Sequence, residues 1–175
     1  GEVMLSRILE HSGLRPGEEY REQASFTGED GARLQPDVIV SLSDGKSVVI
    51  DAKLPLIAWM ELTAAADAEA QAQARRRLVE AVRGHLRGLS QKRYQDIPQL
   101  RTLDFVRLFI PVEAAFVEVL RLDPALYEDA QGRGVVLVSP TTLMAVLRTV
   151  AVTWRHERQE RNAQADPNAN AATVL

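Results

Sequence analysis

A single α/β domain is the fold class this sequence predicts, on three observations. Apolar residues recur at helical spacing near both ends and through the middle of the chain. A hairpin of Val- and Ile-rich strands spans residues 37–53. Two later apolar runs, 103–112 and 135–138, alternate with helical segments. At 175 residues and 46% hydrophobic, the chain is long enough to bury one well-formed core.

Residues 2–12 carry Val3, Leu5, Ile8 and Leu9 at helical spacing, ended by Gly13. A short strand over 20–26 leads into Gly28-Glu29-Asp30-Gly31, a turn. After the hairpin, residues 56–90 read as one long helix. Its Ala-rich centre, Ala64 to Ala74, lacks large apolar residues and should project into solvent or cover the site. Leu78, Val82, His85/Leu86 and Leu89 then bring the helix back onto the core. The strand 103–112 precedes short helices at 113–122 and 124–131, the strand 135–138, and a last helix from Pro140 to Arg161. An Ala- and Asn-rich tail, 165–175, reads as disordered. The order is α-β-β-β-α-β-α-α-β-α.

Charges written into the hairpin point to chemistry. Pro36-Asp37-Val-Ile-Val is joined through Ser43-Asp44-Gly45 to Val48-Val-Ile-Asp51-Ala52-Lys53. Burying an ionised group without a partner costs several kcal/mol or more. A three-residue loop, with Gly45 in the left-handed position of a bulge, pairs Leu42 with Lys46 and sets Asp37 directly across from Asp51. Lys53 then projects from the same face. That register also sorts the apolar residues: Val38, Val40, Leu42, Val48, Ile50 and Ala52 share one face, and Asp37, Ile39, Ser41, Ser47, Val49, Asp51 and Lys53 the other. A two-residue turn would mix the two sets.

Opposed carboxylates with Cβ atoms roughly 5 Å apart can share one divalent cation. Mg²⁺ takes one or two protein carboxylates and completes its shell with water and phosphate oxygens. Lys53 would orient the attacking water or stabilise developing charge. The same three residues would also serve as a structural ion pair at a sheet end.

Pro36-Asp37…Asp51-Ala52-Lys53 resembles the signature of the PD-(D/E)XK nuclease superfamily. Further stretches resemble one branch of it, the RmuC family of DNA recombination proteins: Gly1-Glu2-Val3, Leu34-Gln35-Pro36-Asp37, Leu89-Ser90 with Tyr94, Ile110-Pro111-Val112-Glu113, Val138-Ser139-Pro140-Thr141-Thr142-Leu143, and Arg148-Thr149-Val150 with Trp154. The resemblance covers residues 1–164. It implies a restriction-endonuclease-like mixed sheet flanked by helices. It also implies a role in DNA recombination as a Mg²⁺-dependent deoxyribonuclease, with Mn²⁺ as a substitute. Asp37, Asp51 and Lys53 would be catalytic, with Glu2 completing the metal set beside Asp37 and Asp51; Glu10 is the second choice for that position. Such relatives carry a membrane anchor and a coiled coil upstream, and the chain opens inside a helical pattern as an excised domain would.

Composition excludes several classes. Without cysteine there is neither a disulfide framework nor a zinc–thiolate site. His11, His85 and His156 show no metal-ligand spacing and read as surface or satisfied core residues. No apolar run approaches a membrane span and no signal peptide is visible, so the expected setting is cytoplasmic, with DNA as partner and no membrane contact by this domain.

Net charge is −3, yet residues 75–107 hold nine Lys or Arg against three acids. A segregated basic stretch can bind phosphates, or be a solvated helix face. The DNA-binding candidates are Lys92, Arg93 and Tyr94 from this stretch, then Ser139, Thr141 and Thr142 at a helix start whose free N–H groups would bind phosphate. Arg148 and Arg155 complete them, seven residues apart on one helix face. An ordinary cap would explain Ser139 and Thr142 equally, and a structural hydrogen bond suits Glu113. Three functions stay open: a metal-dependent nuclease, a DNA-binding module on the same fold, and a small-substrate phosphohydrolase. The last is disfavoured because no glycine-rich phosphate loop is present.

Overall fold

A computed structural model describes residues 1–101 and 105–165. The chain runs α1 (Glu2–His11), β1 (Tyr20–Glu22), β2 (Phe26–Thr27), β3 (Arg33–Leu34), β4 (Val38–Ser41), β5 (Ser47–Ala52), α2 (Leu56–Ala64) and α3 (Ala68–Gln91). Then follow a 3₁₀ turn (Tyr94–Asp96), β6 (Val106–Phe109), α4 (Glu113–Leu122), α5 (Leu126–Gly132), β7 (Val135–Val138) and α6 (Pro140–Ala165). Five strands form one sheet in the order β1-β4-β5-β6-β7, while β2 and β3 pair as a separate hairpin. The first three strands of that order are antiparallel and the last three parallel, so the sheet is mixed, as expected.

Helices cover both faces. Leu5, Ile8 and Leu9 of α1 and Leu143, Leu147 and Ala151 of α6 pack with Val38, Val40, Val48, Ile50 and Ala52. On the opposite face Leu78, Val82, Leu86 and Leu89 of α3 pack with Val49, Leu108 and Leu137. The hairpin residues divide between the faces as the three-residue loop requires. Val38 faces Ile50 and Ser41 faces Ser47, Leu42 N donates to Lys46 O at 2.7 Å, and Gly45 has φ +81°. β5 lies in the middle of the sheet with all six residues buried, and Asp51 is among them.

The structure corrects the sequence reading at four places. The strand expected over 20–26 breaks at Gln23, whose φ is +51°, into β1 and the β2–β3 hairpin. The single helix expected over 56–90 breaks at residues 65–67: Ala65 is extended and Asp67 accepts from Ala70 N at 2.8 Å, an N-cap that starts α3. The Ala-rich segment around that break is largely exposed, and Trp59 and Leu62 of α2 fold back against the α3 core. Strand β6 is shorter than expected; Leu103 and Asp104, assigned to it from the sequence, lie outside the described residues. Helix α6 continues to Ala165, with Glu157 and Arg161 paired one turn apart at 2.5 Å; the remaining tail expected to be disordered lies outside the described residues.

Two contacts from α6 fasten the antiparallel end of the sheet. Trp154 Nε1 donates to Ser41 O at 2.8 Å. The Arg158 guanidinium binds the buried Glu19 carboxylate, which also accepts from Arg15 N at 3.0 Å. Arg158→Met would strand that carboxylate. The expected loss is about 3 kcal/mol, the low end for breaking a buried pair because Arg158 keeps some water. Denaturant unfolding measures it, and an unchanged midpoint would show that the pair contributes nothing.

Candidate active site

One end of the sheet gathers the start of β4, the carboxyl ends of the parallel strands β5–β7, and the first turn of α1. Gly1 lies against Ala52 and Pro111 there: a Cβ at Gly1 would stand 3.8 and 3.6 Å from their side chains.

Asp37 enters β4 after Pro36, which biases the backbone before it toward an extended form. Its carboxylate is 8% exposed in residue terms and doubly anchored. Oδ2 accepts from Ala52 N at 2.7 Å and Oδ1 from Gln23 Nε2 at 3.2 Å. The register places Asp51 directly opposite on β5, 2% exposed. Lys53 Nζ stands 3.5 Å from its Oδ2, and Lys92 Nζ, arriving from the end of α3, stands 3.5 Å from its Oδ1. Oδ2 has no hydrogen-bond partner although it is buried. A buried carboxylate oxygen without a bond is costly unless something else occupies it. Both lysines are more than a third exposed, so they reach into the site from its open side.

The charges gathered here reach two neighbouring side chains. Tyr94, buried under Asp51, accepts from Lys92 Nζ at 3.1 Å. Burial and then the charges of Asp51 and Asp37 push its phenol well up, so it keeps its proton. His85, on the α3 stripe toward the site, is half-buried. Burial and the nearby Lys53 charge hold its imidazole below the ordinary value, so it is neutral near pH 7.

Glu2, exposed in the first turn of α1, lines one small cleft with Gln23 and Asp37. Glu10 is exposed two turns further along and does not line that cleft. Among the described residues no three His, Cys, Asp or Glu side chains close up as a ready-made metal cage. Even so, the donor set fits a hard cation. Two carboxylates face each other across neighbouring strands, and one oxygen is buried without a partner.

The basic stretch does not form one phosphate-tracking face. Arg75 pairs with Glu118 at 3.5 Å and Arg77 with Glu61 at 2.8 Å; Arg83 bridges Asp123 and Asp129 at 2.6 and 2.7 Å, and Arg93 meets Asp96 at 2.5 Å. These pairs tie α3 to α2, α4 and α5 and restrain the corner after α3. Arg76, Arg87 and Arg101 are exposed, with no acidic partner among the described residues.

The start of α6 shares the sheet end, but its amides are occupied. Thr142 Oγ1 accepts from Ser139 N at 2.8 Å, Ser139 Oγ accepts from Thr142 N at 3.3 Å, and Glu113 Oε2 accepts from Thr141 N at 3.1 Å. The helix start is therefore capped, with a carboxylate standing where a phosphate would bind. Arg148 and Arg155 are exposed on the same helix, about 12 and 22 Å along its axis from Pro140. Desolvation acts to raise the Glu113 carboxyl, but bonds from Ser139 and Thr141 outweigh it and hold it below the ordinary value. The ionised cap thus stabilises the fold above the ordinary carboxylate range, and this contribution is lost as pH falls through the depressed value. Glu113→Gln should therefore melt lower than wild type near pH 7, with the gap narrowing as pH falls below the ordinary carboxylate range. Melts across that pH span check it.

Three participants escaped the sequence reading. Gln23 carried no signal. Lys92 was placed among DNA-binding residues rather than at Asp51, and His85 read as surface or core.

The RmuC family model matches residues 1–166. The chain belongs to the RmuC family. Over 164 residues it is 50% identical to the DNA recombination protein RmuC of Escherichia coli K12 and 47% identical to the RmuC homolog of Pseudomonas aeruginosa. A third relative, the RmuC homolog of Vibrio cholerae, is 48% identical over 165 residues. Each alignment takes in 94% of this chain but only 36%, 34% or 32% of the Pseudomonas, Escherichia and Vibrio proteins, so the chain spans about a third of these curated relatives. No solved structure matches it. Among the described residues no helix is long and apolar enough to cross a membrane.

Proposed function

We propose that this RmuC domain is a divalent-metal-dependent deoxyribonuclease that hydrolyses phosphodiester bonds during DNA recombination. One observation carries the reading. Asp37 and Asp51 oppose each other at a sheet end, with Asp51 Oδ2 buried and unbonded and Lys53 3.5 Å away. The relatives' description as DNA recombination proteins supplies the substrate class.

Asp37 and Asp51, with Glu2 from the cleft edge, would hold Mg²⁺ or Mn²⁺. When bound, such a cation offsets charge on the phosphoryl oxygens and acidifies water. The chain's own groups supply the rest. Lys53 stands beside Asp51 from the open side, where it orients the attacking water and stabilises charge on the phosphoryl group. Lys92 presents a second ammonium to the same region and is held by the Tyr94 hydroxyl. Tyr94 remains a neutral donor, adding no negative charge beside the phosphate. Arg93, beside Lys92 in one groove, would extend the contact along a longer polynucleotide. Ser139, Thr141 and Thr142 are engaged in the α6 cap, and Arg155 adjoins Trp154, which bonds the far end of β4. The setting that suits this chemistry is cytoplasmic.

A second reading, a DNA-binding module on a nuclease fold, draws on the two lysines that already neutralise Asp51. Labelled linear, flapped and branched DNA incubated with Mg²⁺, Mn²⁺ or chelator separates the two. Metal-dependent cutting, with binding that weakens steeply in salt, is the expected outcome. Salt-sensitive binding without cutting under any metal favours the second reading.

A further inference from the structure

Gln23 is an unexpected residue to find beside a catalytic carboxylate. Its backbone sits at φ +51°, a region that L residues other than Asn and Asp rarely enter. The register of β1 against β4 runs Tyr20–Val40, Arg21–Ile39 and Glu22–Val38, so the chain turns away where Gln23 meets Asp37. Gln23 N donates to Asp37 O at 2.9 Å, and Gln23 Nε2 donates to Asp37 Oδ1 at 3.2 Å. A second amide braces the first: Gln35 Nε2 donates to both Gln23 O and Gln23 Oε1, each at 3.2 Å. That brace fixes which way the Gln23 amide points. With its oxygen held by Gln35, its nitrogen faces the carboxylate, which when ionised can only accept.

We infer that Gln23 is the positioning residue for Asp37, with Gln35 as its brace, and that the pair sets the affinity of the site for its divalent cation. The inference rests on the proposed role of Asp37 as a metal ligand. Each oxygen of Asp37 is anchored once, Oδ1 by Gln23 and Oδ2 by Ala52 N, so the carboxylate cannot rotate about its terminal bond while each oxygen keeps further acceptor capacity. Glu2, Gln23 and Asp37 line the same cleft, so the amide stands beside two of the three proposed ligands. Removing a partner that orients a metal ligand typically costs 10–100-fold in metal affinity. The local backbone strain is then the cost of ending β1 at the carboxylate, stored where it acts.

Gln23→Asn is the discriminating variant. Asparagine tolerates the left-handed backbone, but its amide is one methylene short of Asp37. Titration calorimetry with Mn²⁺ alone, without DNA, should show a dissociation constant raised about 10-fold or more. The Mn²⁺ midpoint for cleavage should shift by the same factor, while the rate at saturating metal and the melting temperature stay near wild type. Gln23→Gly, which accepts that backbone with least cost, should show the same shift. Gln35→Leu should give a smaller one in the same direction. Wild-type Mn²⁺ affinity in both Gln23 variants would overturn the inference while leaving the nuclease reading intact. A wild-type protein that neither binds Mn²⁺ nor cuts DNA would overturn both.

Discussion

Asp51→Asn is expected to abolish the proposed metal-dependent DNA cleavage while the protein stays folded and still binds DNA. The expected loss in rate is about 10³-fold or more, some 4 kcal/mol in the barrier. The substitution keeps the side chain's shape near the carboxyl end of a fully buried strand and removes its charge. Folding should tolerate it, because Oδ2 makes no hydrogen bond to lose and Lys53 and Lys92 are exposed enough to be hydrated instead. A melting temperature equal to or above wild type is expected, since a charge buried for chemistry is relieved. DNA affinity should hold or tighten, because one negative charge beside the phosphate is gone. Full cleavage activity in the variant would remove Asp51 from the site. Loss of cleavage together with loss of folding would show instead that the carboxylate is structural.

Lys53→Ala and Lys92→Ala should separate two roles that look alike in the structure, since each ammonium lies 3.5 Å from Asp51. Lys53 is carried by the strand that carries Asp51, and its position at the strand end is fixed by a bond from its N to Phe109 O at 3.0 Å. Its removal should lower kcat by about 10²–10³, the usual effect of losing one group that stabilises transition-state charge. Mn²⁺ affinity should stay level or improve, because a cation competing for Asp51 is gone. Lys92 sits just past the end of α3 at the mouth of the site, beside Gln91 and Arg93 in a groove faced by the β2–β3 hairpin. Its removal should raise KM more than it lowers kcat and reduce the salt slope of DNA binding by about 1. Equal kcat losses in the two variants, with unchanged salt slopes, would argue against this division.

Much of the site was readable because strands have a period of two. Once Gly45 decides a three-residue loop, one parity argument places Asp37, Asp51 and Lys53 on one face and the aliphatic residues on the other. Gln23 could not be read in the same way. Tyr20 to Phe26 looks like a continuous strand, and no glycine marks the left-handed turn; bonds to Asp37 and Gln35, 14 and 12 residues away, hold it there. Lys92 was legible as a charge but not as a contact, since its meeting with Asp51 depends on how α3 docks across the sheet. The long helix failed for a related reason. Alanine propensity favours continuity over 64–74, yet Asp67 caps a new helix and Trp59 and Leu62 gain burial by folding back. Counting charges found the basic stretch, but its partners Glu61, Glu118, Asp123 and Asp129 come from elements that sequence proximity does not join to it.

The central claim is that Asp37 and Asp51 share a divalent cation at the sheet end. Anomalous diffraction from crystals soaked in Mn²⁺ tests it most directly. One anomalous peak within coordinating distance of both carboxylates, absent in Asp51→Asn crystals, is the predicted result. A protein that cuts DNA with Mn²⁺ while its anomalous peak lies at neither Asp37 nor Asp51 would contradict the account.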